Sequence, residues 1–303
     1  MIKRVGILRG GAEEGYEKSI RDGGVILSHV RENLSDSWKP MDILIDKDGV
    51  WHLGGVPILP VDLMHKIDVA WNMVHSSMSG ILSDIGVSYV GVGTFSHILF
   101  NNKEVLAKHL ESIGVKMPRH IVLPLYQEDF DGPKDKYAFR KAQEIHAKFP
   151  APWIVRSYTD EPNMGVHVTK TFPELEKAIE DGVAHRRSIL VEELIYGKEA
   201  SMHSISGFRG KDIYVFPFQI KSVFTNTEKE KLHNLTRGLH DHLGARHYLN
   251  LNFIVHPRQG VYLTSINFSP DMSPESHFSK SCESASAKAH HVIEHILENA
   301  LNK

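Results

Sequence analysis

Of 303 residues, 41% are hydrophobic, 24% charged and 9% aromatic, the balance of a globular chain large enough for two or three compact units. Lys and Arg number 35 against 37 Asp and Glu, a formal charge of −2 that provides no basic footprint for finding nucleic acid or an anionic membrane by bulk electrostatics. The single cysteine, Cys282, excludes a disulfide scaffold or a Cys-rich metal centre and agrees with a reducing, cytoplasmic setting. The opening MIKRVGILRGG breaks its apolar run at Arg9 and the glycines, too early for a signal peptide. No window approaches the roughly 18 to 20 apolar residues of a membrane span.

In chain order, Val5 to Leu8 reads as a short buried strand, Gly10-Gly11 as a tight turn, and Glu17 to Val30 as a helix. Met41 to Ile45 is a second strand, ended by Asp-Lys-Asp-Gly and returned by Val50 to Leu53 as a hairpin. Asp68 to His75, a helix near Ile81 to Ile85, and Val87 to Val90 continue the alternation. Strands separated by helices predict an α/β chain with a mostly parallel, covered sheet. Thr94 to Ile113 has the spacing of one long helix. Next come strands at 120–123, 153–157 and 166–169 and helices at 137–149 and 173–181, a small α+β unit. The last third carries strands at 189–195, 199–206, 213–220, 248–256 and 261–268, a helix near 228–243 and a closing helix at 285–301.

Several short motifs stand in a fixed order: Gly10-Gly11, Glu17-x-Ser19, a strand ending at His75, Tyr89-x-Gly91-x-Gly93, Asn102-Lys103, and Gly114-Val-Lys-Met-Pro118. They continue with Pro152-Trp-Ile-Val-Arg156, Met164-Gly-Val166, Leu190-Val-Glu-Glu-Leu-Ile195-x-Gly197-x-Glu199, Leu243-Gly244, and Val261 through Asn267 to Pro270-x-Met-Ser-Pro-x-Ser276. Along essentially its whole length the chain resembles the D-alanine–D-alanine ligases of the ATP-grasp superfamily. The resemblance implies a three-domain ATP-grasp architecture: a Rossmann-like domain over residues 1–100, a central subdomain over 101–188 and a C-terminal subdomain over 189–303. It also implies a cytoplasmic enzyme that phosphorylates one amino-acid carboxylate with ATP and joins it to a second amine, with ATP between the last two domains, magnesium as cofactor, and a homodimer formed through the N-terminal domain.

Carried over position by position, Lys103 and Arg156 reach the phosphates, Arg156 standing where the family has lysine. Lys103 also reads as a solvated helix cation. Glu192, Glu193, Leu194 and Ile195 match the adenine-binding hinge, and Glu199 the carboxylate on the ribose; plain edge-strand solvation is the other reading of these carboxylates. Glu17, Ser19, His75 and Asn267 match the family's catalytic positions, and Asn252 also falls among its nucleotide-binding ones. The glutamate expected to hold the first ammonium falls on Gly15, with Glu13, Glu14 and Glu17 as nearby substitutes.

The 248–268 hairpin departs from the family. Pairing His256 with Val261 sets Asn252 opposite Ser265 and Asn250 opposite Asn267 on one face. The family has arginine, aspartate and glutamate where this chain has Asn250, Asn252 and Ser265. Magnesium favours carboxylates, so Asn252 and Asn267 form a neutral platform, with Asp271 and Glu275 the nearest substitutes unless Asp271 is a plain turn aspartate. The loop after His75 is short, Pro162 replaces a serine of the phosphate-covering loop, and the lid after Ile220 is deleted. A catalytically degenerate nucleotide-binding homologue is therefore the alternative to a ligase. Neither Gly10-Gly11 nor Gly91-x-Gly93 completes a dinucleotide fingerprint. Of the 20 histidines, His291 with His295 and His240 with His242 read as helix-surface residues rather than ligands, and Cys282 has no base partner.

Overall fold

The computed structural model describes residues 2–12, 15–75, 77–92, 96, 99–100, 102–158, 164–217, 223–273 and 275–302. Glu13, Glu14, Pro162 and the strand end at 218–220, all named above, lie outside them. The chain divides into two compact units, one of Met1–Asn101 with Lys198–Lys303 and one of Asn102–Gly197.

The first unit opens with β1 (Lys3–Gly10), α1 (Tyr16–Asn33), β2 (Trp38–Ile45), β3 (Trp51–Leu53), β4 (Val56–Ile58), β5 (Val69–Asn72), α2 (Met78–Asp84) and β6 (Tyr89–Val90). These strands form a six-stranded sheet ordered β4-β3-β2-β1-β5-β6, parallel from β2 to β6 and antiparallel at the expected β2–β3 hairpin. Because side chains alternate across a strand, β1 sends Val5 and Ile7 to one core and Leu8 to another, so both sheet faces are covered. β1 lies between β2 and β5, and the carboxyl ends of β1 and β5 flank the point where strand order reverses, the usual ligand crevice of an open parallel sheet.

The second unit holds α3 (Lys103–Ser112), β7 (His120–Leu123), α4 (Glu128–Asp131), α5 (Lys134–Lys148), β8 (Trp153–Ser157), β9 (Val166–Thr169), α6 (Phe172–Ala184) and β10 (Ile189–Glu193). The expected single helix from Thr94 to Ile113 does not form: Asn102 is extended (φ −127°, ψ 100°) and its side chain accepts a hydrogen bond from the Val105 N–H, so a new helix starts at Lys103. The antiparallel sheet is ordered β7-β10-β8-β9. Ile121, Val155 and Val191 on one face pack with Tyr137, Ile145, Leu175 and Ile179 of α5 and α6. The other face carries His120, Glu192, Ile154, Arg156, Val166 and Val168, the last two 67% and 52% exposed. With β10 between β7 and β8, the chain leaves this sheet after Glu193 rather than at the expected boundary of 188.

The rest of the first unit is β11 (Lys198–Ser206), β12 (Ile213–Val215), α7 (Asn226–His242), β13 (Tyr248–His256), β14 (Gly260–Asn267), α8 (His277–Ser284) and α9 (Ala289–Leu301), with a sheet ordered β12-β11-β13-β14. The closing helix expected from Ala285 starts instead at Ala289, and a separate helix, α8, ends before it, with Ser286 at φ +52° between the two. Phe278 of α8 and Val292, Ile293 and Ile296 of α9 share one core with Val5, Trp38, Val69 and Trp71 of the first sheet. His240, expected on a helix surface, is buried between the hydroxyls of Ser204 and Ser206 at 2.8 and 2.9 Å, and His295 Nε2 lies 2.9 Å from the Ser206 carbonyl. Both histidines tie helices to β11.

His203 is buried beside Tyr248, its Nδ1 2.7 Å from the phenol oxygen, and burial pulls its pKa down to about 3. A depressed histidine favours folding while neutral, so this contribution is whole above about 6.5 and is lost as pH falls from there toward 3. His203→Asn is expected to flatten the acid limb of unfolding free energy against pH in that window. An unchanged slope in urea titrations would place the acid sensitivity elsewhere.

Candidate functional site

The two residues expected at the nucleotide phosphates, Lys103 and Arg156, converge with Glu192 of the expected adenine hinge on the open face of the second unit. Lys103 opens α3, held there by the Asn102 cap, and its Nζ lies 2.7 Å from Glu192 Oε1. Arg156, one diagonal step across the β8–β10 ladder, donates from Nε and one terminal nitrogen to Glu192 Oε2 at 3.3 and 3.1 Å. The Glu192 side chain is only 9% exposed. Burial opposes its charge, but the adjacent Lys103 and Arg156 outweigh that and hold the carboxyl below the usual glutamate range. Among the described residues two cations here share one anion, a balance that suits an anionic ligand.

The neighbouring hinge residues are engaged within the unit. Glu193, pointing to the opposite face from Glu192, takes a bidentate contact from Arg119 at 2.8 and 2.9 Å that holds its carboxyl below the usual range. The Leu194 N–H donates to the Pro152 carbonyl at 3.0 Å, and Ile195 is buried. Glu199 is exposed on β11 of the first unit, opposite Ile254.

On the β13–β14 hairpin, Asn250 pairs with Asn267 and Asn252 with Ser265, as the sequence predicts, but by a different route. His256 pairs with Gly260 rather than Val261, and a bulge between Asn252 and Phe253 restores the register. The Asn252 amide donates to Ser265 Oγ at 2.7 Å and the Asn267 amide to Asn250 Oδ1 at 3.3 Å. Asn250 in turn donates to Ser201 Oγ and the Met202 carbonyl at 2.9 and 3.2 Å. This neutral ladder does not fit magnesium, a hard cation that favours carboxylate oxygens. Asp271 accepts the Ser273 N–H at 2.9 Å, the geometry of a turn aspartate. Among the described residues no group of three or more His, Cys, Asp or Glu is placed to hold a metal ion.

No family model matches the chain. Among curated proteins, the D-alanine–D-alanine ligase of Desulforudis audaxviator is 23% identical over 99% of both chains. Among solved structures, D-alanyl-alanine synthetase A from Vibrio cholerae superposes with a TM-score of 0.72 at 15% identity, covering 100% of this chain and 99% of the other. The D-alanine–D-alanine ligase from Bacillus anthracis complexed with ATP gives 0.69 at 20% identity, covering 99% and 97%. Over essentially its whole length the chain is similar to the D-alanine–D-alanine ligases. Its α/β fold is the ATP-grasp fold of those ligases.

In this chain the candidate substrate residues of the first sheet are partly structural. Ser19 is buried; its hydroxyl accepts the Gly10 N–H at 2.9 Å and donates to the Met73 carbonyl at 2.8 Å, joining α1 to the carboxyl ends of β1 and β5. His75 sits just beyond β5, with Nδ1 2.9 Å from Ser77 Oγ. Glu17 is exposed in the first turn of α1, 3.7 Å from Lys47. Ser269, after β14, bridges Trp71 Nε1 at 3.3 Å and Met73 Sδ at 3.2 Å.

Sequence reasoning missed Arg119, His120 and Ser201. His120 lies opposite Glu192, its Nδ1 3.1 Å from the Pro118 carbonyl and its Nε2 buried without a hydrogen-bond partner. Burial, with the Lys103 charge adding to it, pulls the ring below the usual histidine range. Its alternation with Ile121 was the available signal. Cys282 is fully buried and its thiol is pushed up to about 12 by burial, so native protein should resist iodoacetamide at neutral pH and label only on unfolding. Stoichiometric labelling of the native chain would contradict this packing.

Proposed function

We propose that the chain is an ATP-dependent carboxylate–amine ligase of the D-alanine–D-alanine type, acting on small amino-acid substrates in the cytoplasm. The observation that carries the nucleotide half is the convergence of Lys103 and Arg156 on Glu192, two cations to one anion among the described residues, on the open face of the second unit. Bound phosphate oxygens would take the place of part of the Glu192 carboxylate around the two cations, with Arg156 offering a fork and Lys103 a point charge. In the expected reaction one carboxylate takes the terminal phosphoryl group, a second amine attacks the acylphosphate, and phosphate leaves as the C–N bond forms. In-line phosphoryl transfer relies on positioning and charge stabilisation, which is the part Lys103 and Arg156 would play. On the first unit, Ser19 holds the crevice walls while His75 lies at its rim, the placement that supports a small-substrate pocket at the carboxyl ends of β1 and β5.

The test follows phosphate release from ATP with D-alanine and then a panel of amino and hydroxy acids, with product detection by mass spectrometry. ATP alone is measured by thermal shift; ligand at about 100 times its Kd should stabilise by roughly 2.7 kcal/mol. Phosphate release with dipeptide supports the ligase. A melting shift without turnover on any acid would leave a binding homologue, and no shift would remove the nucleotide assignment too.

A further inference from the structure

We propose that the β13–β14 hairpin holds no divalent cation, with or without nucleotide, so that magnesium does not strengthen ATP binding by this chain. The first clause stands on the hairpin; the second rests also on the nucleotide reading above.

The Met202 carbonyl can only accept, so the Asn250 amide nitrogen must face it and Oδ1 must face Asn267. That carbonyl oxygen is already bonded to the Asn267 amide, and Ser265 Oγ already accepts from Asn252. What the ladder leaves to a cation is the neutral side-chain oxygens of Asn252, Asn267 and Ser265, with no carboxylate among them. Asn250 is 8% exposed, so turning its amide would strand donors that Ser201 and Met202 now satisfy. Charge does not compensate for this geometry. Among the described residues the strand positions of the ladder hold three amides and a hydroxyl, Asp271 is committed to its turn, and Glu275 pairs with Lys280 at 2.9 Å while 90% exposed. Amides without carboxylates bind a hard dication poorly. Positive charge for a nucleotide then comes from Lys103 and Arg156, and magnesium on the phosphates would compete with them for the same oxygens without gaining protein ligands from this hairpin.

Manganese, a paramagnetic stand-in for magnesium, is titrated into 15N-labelled protein with and without ATP, and amide broadening is followed along residues 250–267. In parallel, ATP affinity is measured in EDTA and in excess magnesium. The expected result is no selective broadening of the hairpin below about 1 mM manganese, and ATP affinity in magnesium no higher than in EDTA. The Asn252→Asp/Ser265→Glu variant should show both broadening and a magnesium-dependent gain. Selective broadening of the wild-type hairpin in either state, or a gain of about tenfold in wild-type ATP affinity with magnesium, would overturn the proposal. Absence of ATP binding in both buffers would count against the ligase reading, and the manganese titration would still decide the hairpin. Should the double variant not fold, Asn252→Asp alone serves, and the wild-type measurements need neither.

Discussion

Glu192→Ala is expected to lower the unfolding free energy by about 3–5 kcal/mol, the usual cost of removing one partner from a buried ion pair. The loss comes less from missing attraction than from what remains: Lys103 and Arg156, 12% and 21% exposed, would face each other without the carboxylate they share. Glu192→Gln tests this account, since it keeps the shape and an acceptor oxygen and removes the charge, and should fall between wild type and alanine. Because the folded carboxyl is held below the usual glutamate range, its stabilisation is present above that range and lost as pH falls through the folded value. The difference between Glu192→Ala and wild type should therefore shrink in acid. Urea unfolding of the three proteins at neutral and acid pH reads both effects; equal stability at neutral pH would mean that the cluster is solvated in solution.

Gly10→Ala is the second large effect, expected at about 3 kcal/mol or more from left-handed backbone strain together with overpacking. Gly10 has φ +91°, and a Cβ there would lie 2.1 Å from the Ile45 carbonyl oxygen, a backbone atom that cannot step aside. That oxygen also accepts the Gly11 N–H at 2.8 Å, while the Gly10 N–H is held by Ser19, so displacement would loosen β1, β2 and α1 together. Gly24→Ala in α1 is the control, since nothing lies within 4 Å of its added Cβ. Similar melting temperatures for Gly10→Ala and wild type would contradict the turn geometry.

Much of this was legible in the residues, and what was not has identifiable physical causes. The strand–turn–helix opening and the β2–β3 hairpin followed from local patterning, because a period-2 run ended by glycine leaves few alternatives. The helix break at Asn102 was missed because apolar spacing continues through it; the capping amide was the clue. The boundary after Glu193 could not be read, since β10 pairs with strands on both sides and no local signal marks membership of a sheet. In the site, the charge types at Lys103, Arg156 and Glu192 were legible from the family landmarks, but their mutual ion pairs depend on tertiary proximity. The ladder shows the same limit: its partners were predictable from alternation, whereas the bulge that sets them is a backbone event with no side-chain signature.

The shared core of the first unit carries a consequence for synthesis on the ribosome. Trp38, Val69 and Trp71 are made early, while Phe278, Val292 and Ile296, which cover them, are among the last residues translated. The second unit, lying wholly within 102–197, emerges complete in the meantime. A nascent chain stalled once the second unit has cleared the exit tunnel, but before α8 and α9 have emerged, would thus present a finished insert and a sheet with an apolar face still bare, the kind of surface that chaperones hold. In this protein, the order of translation and the order in which the cores close run in opposite directions.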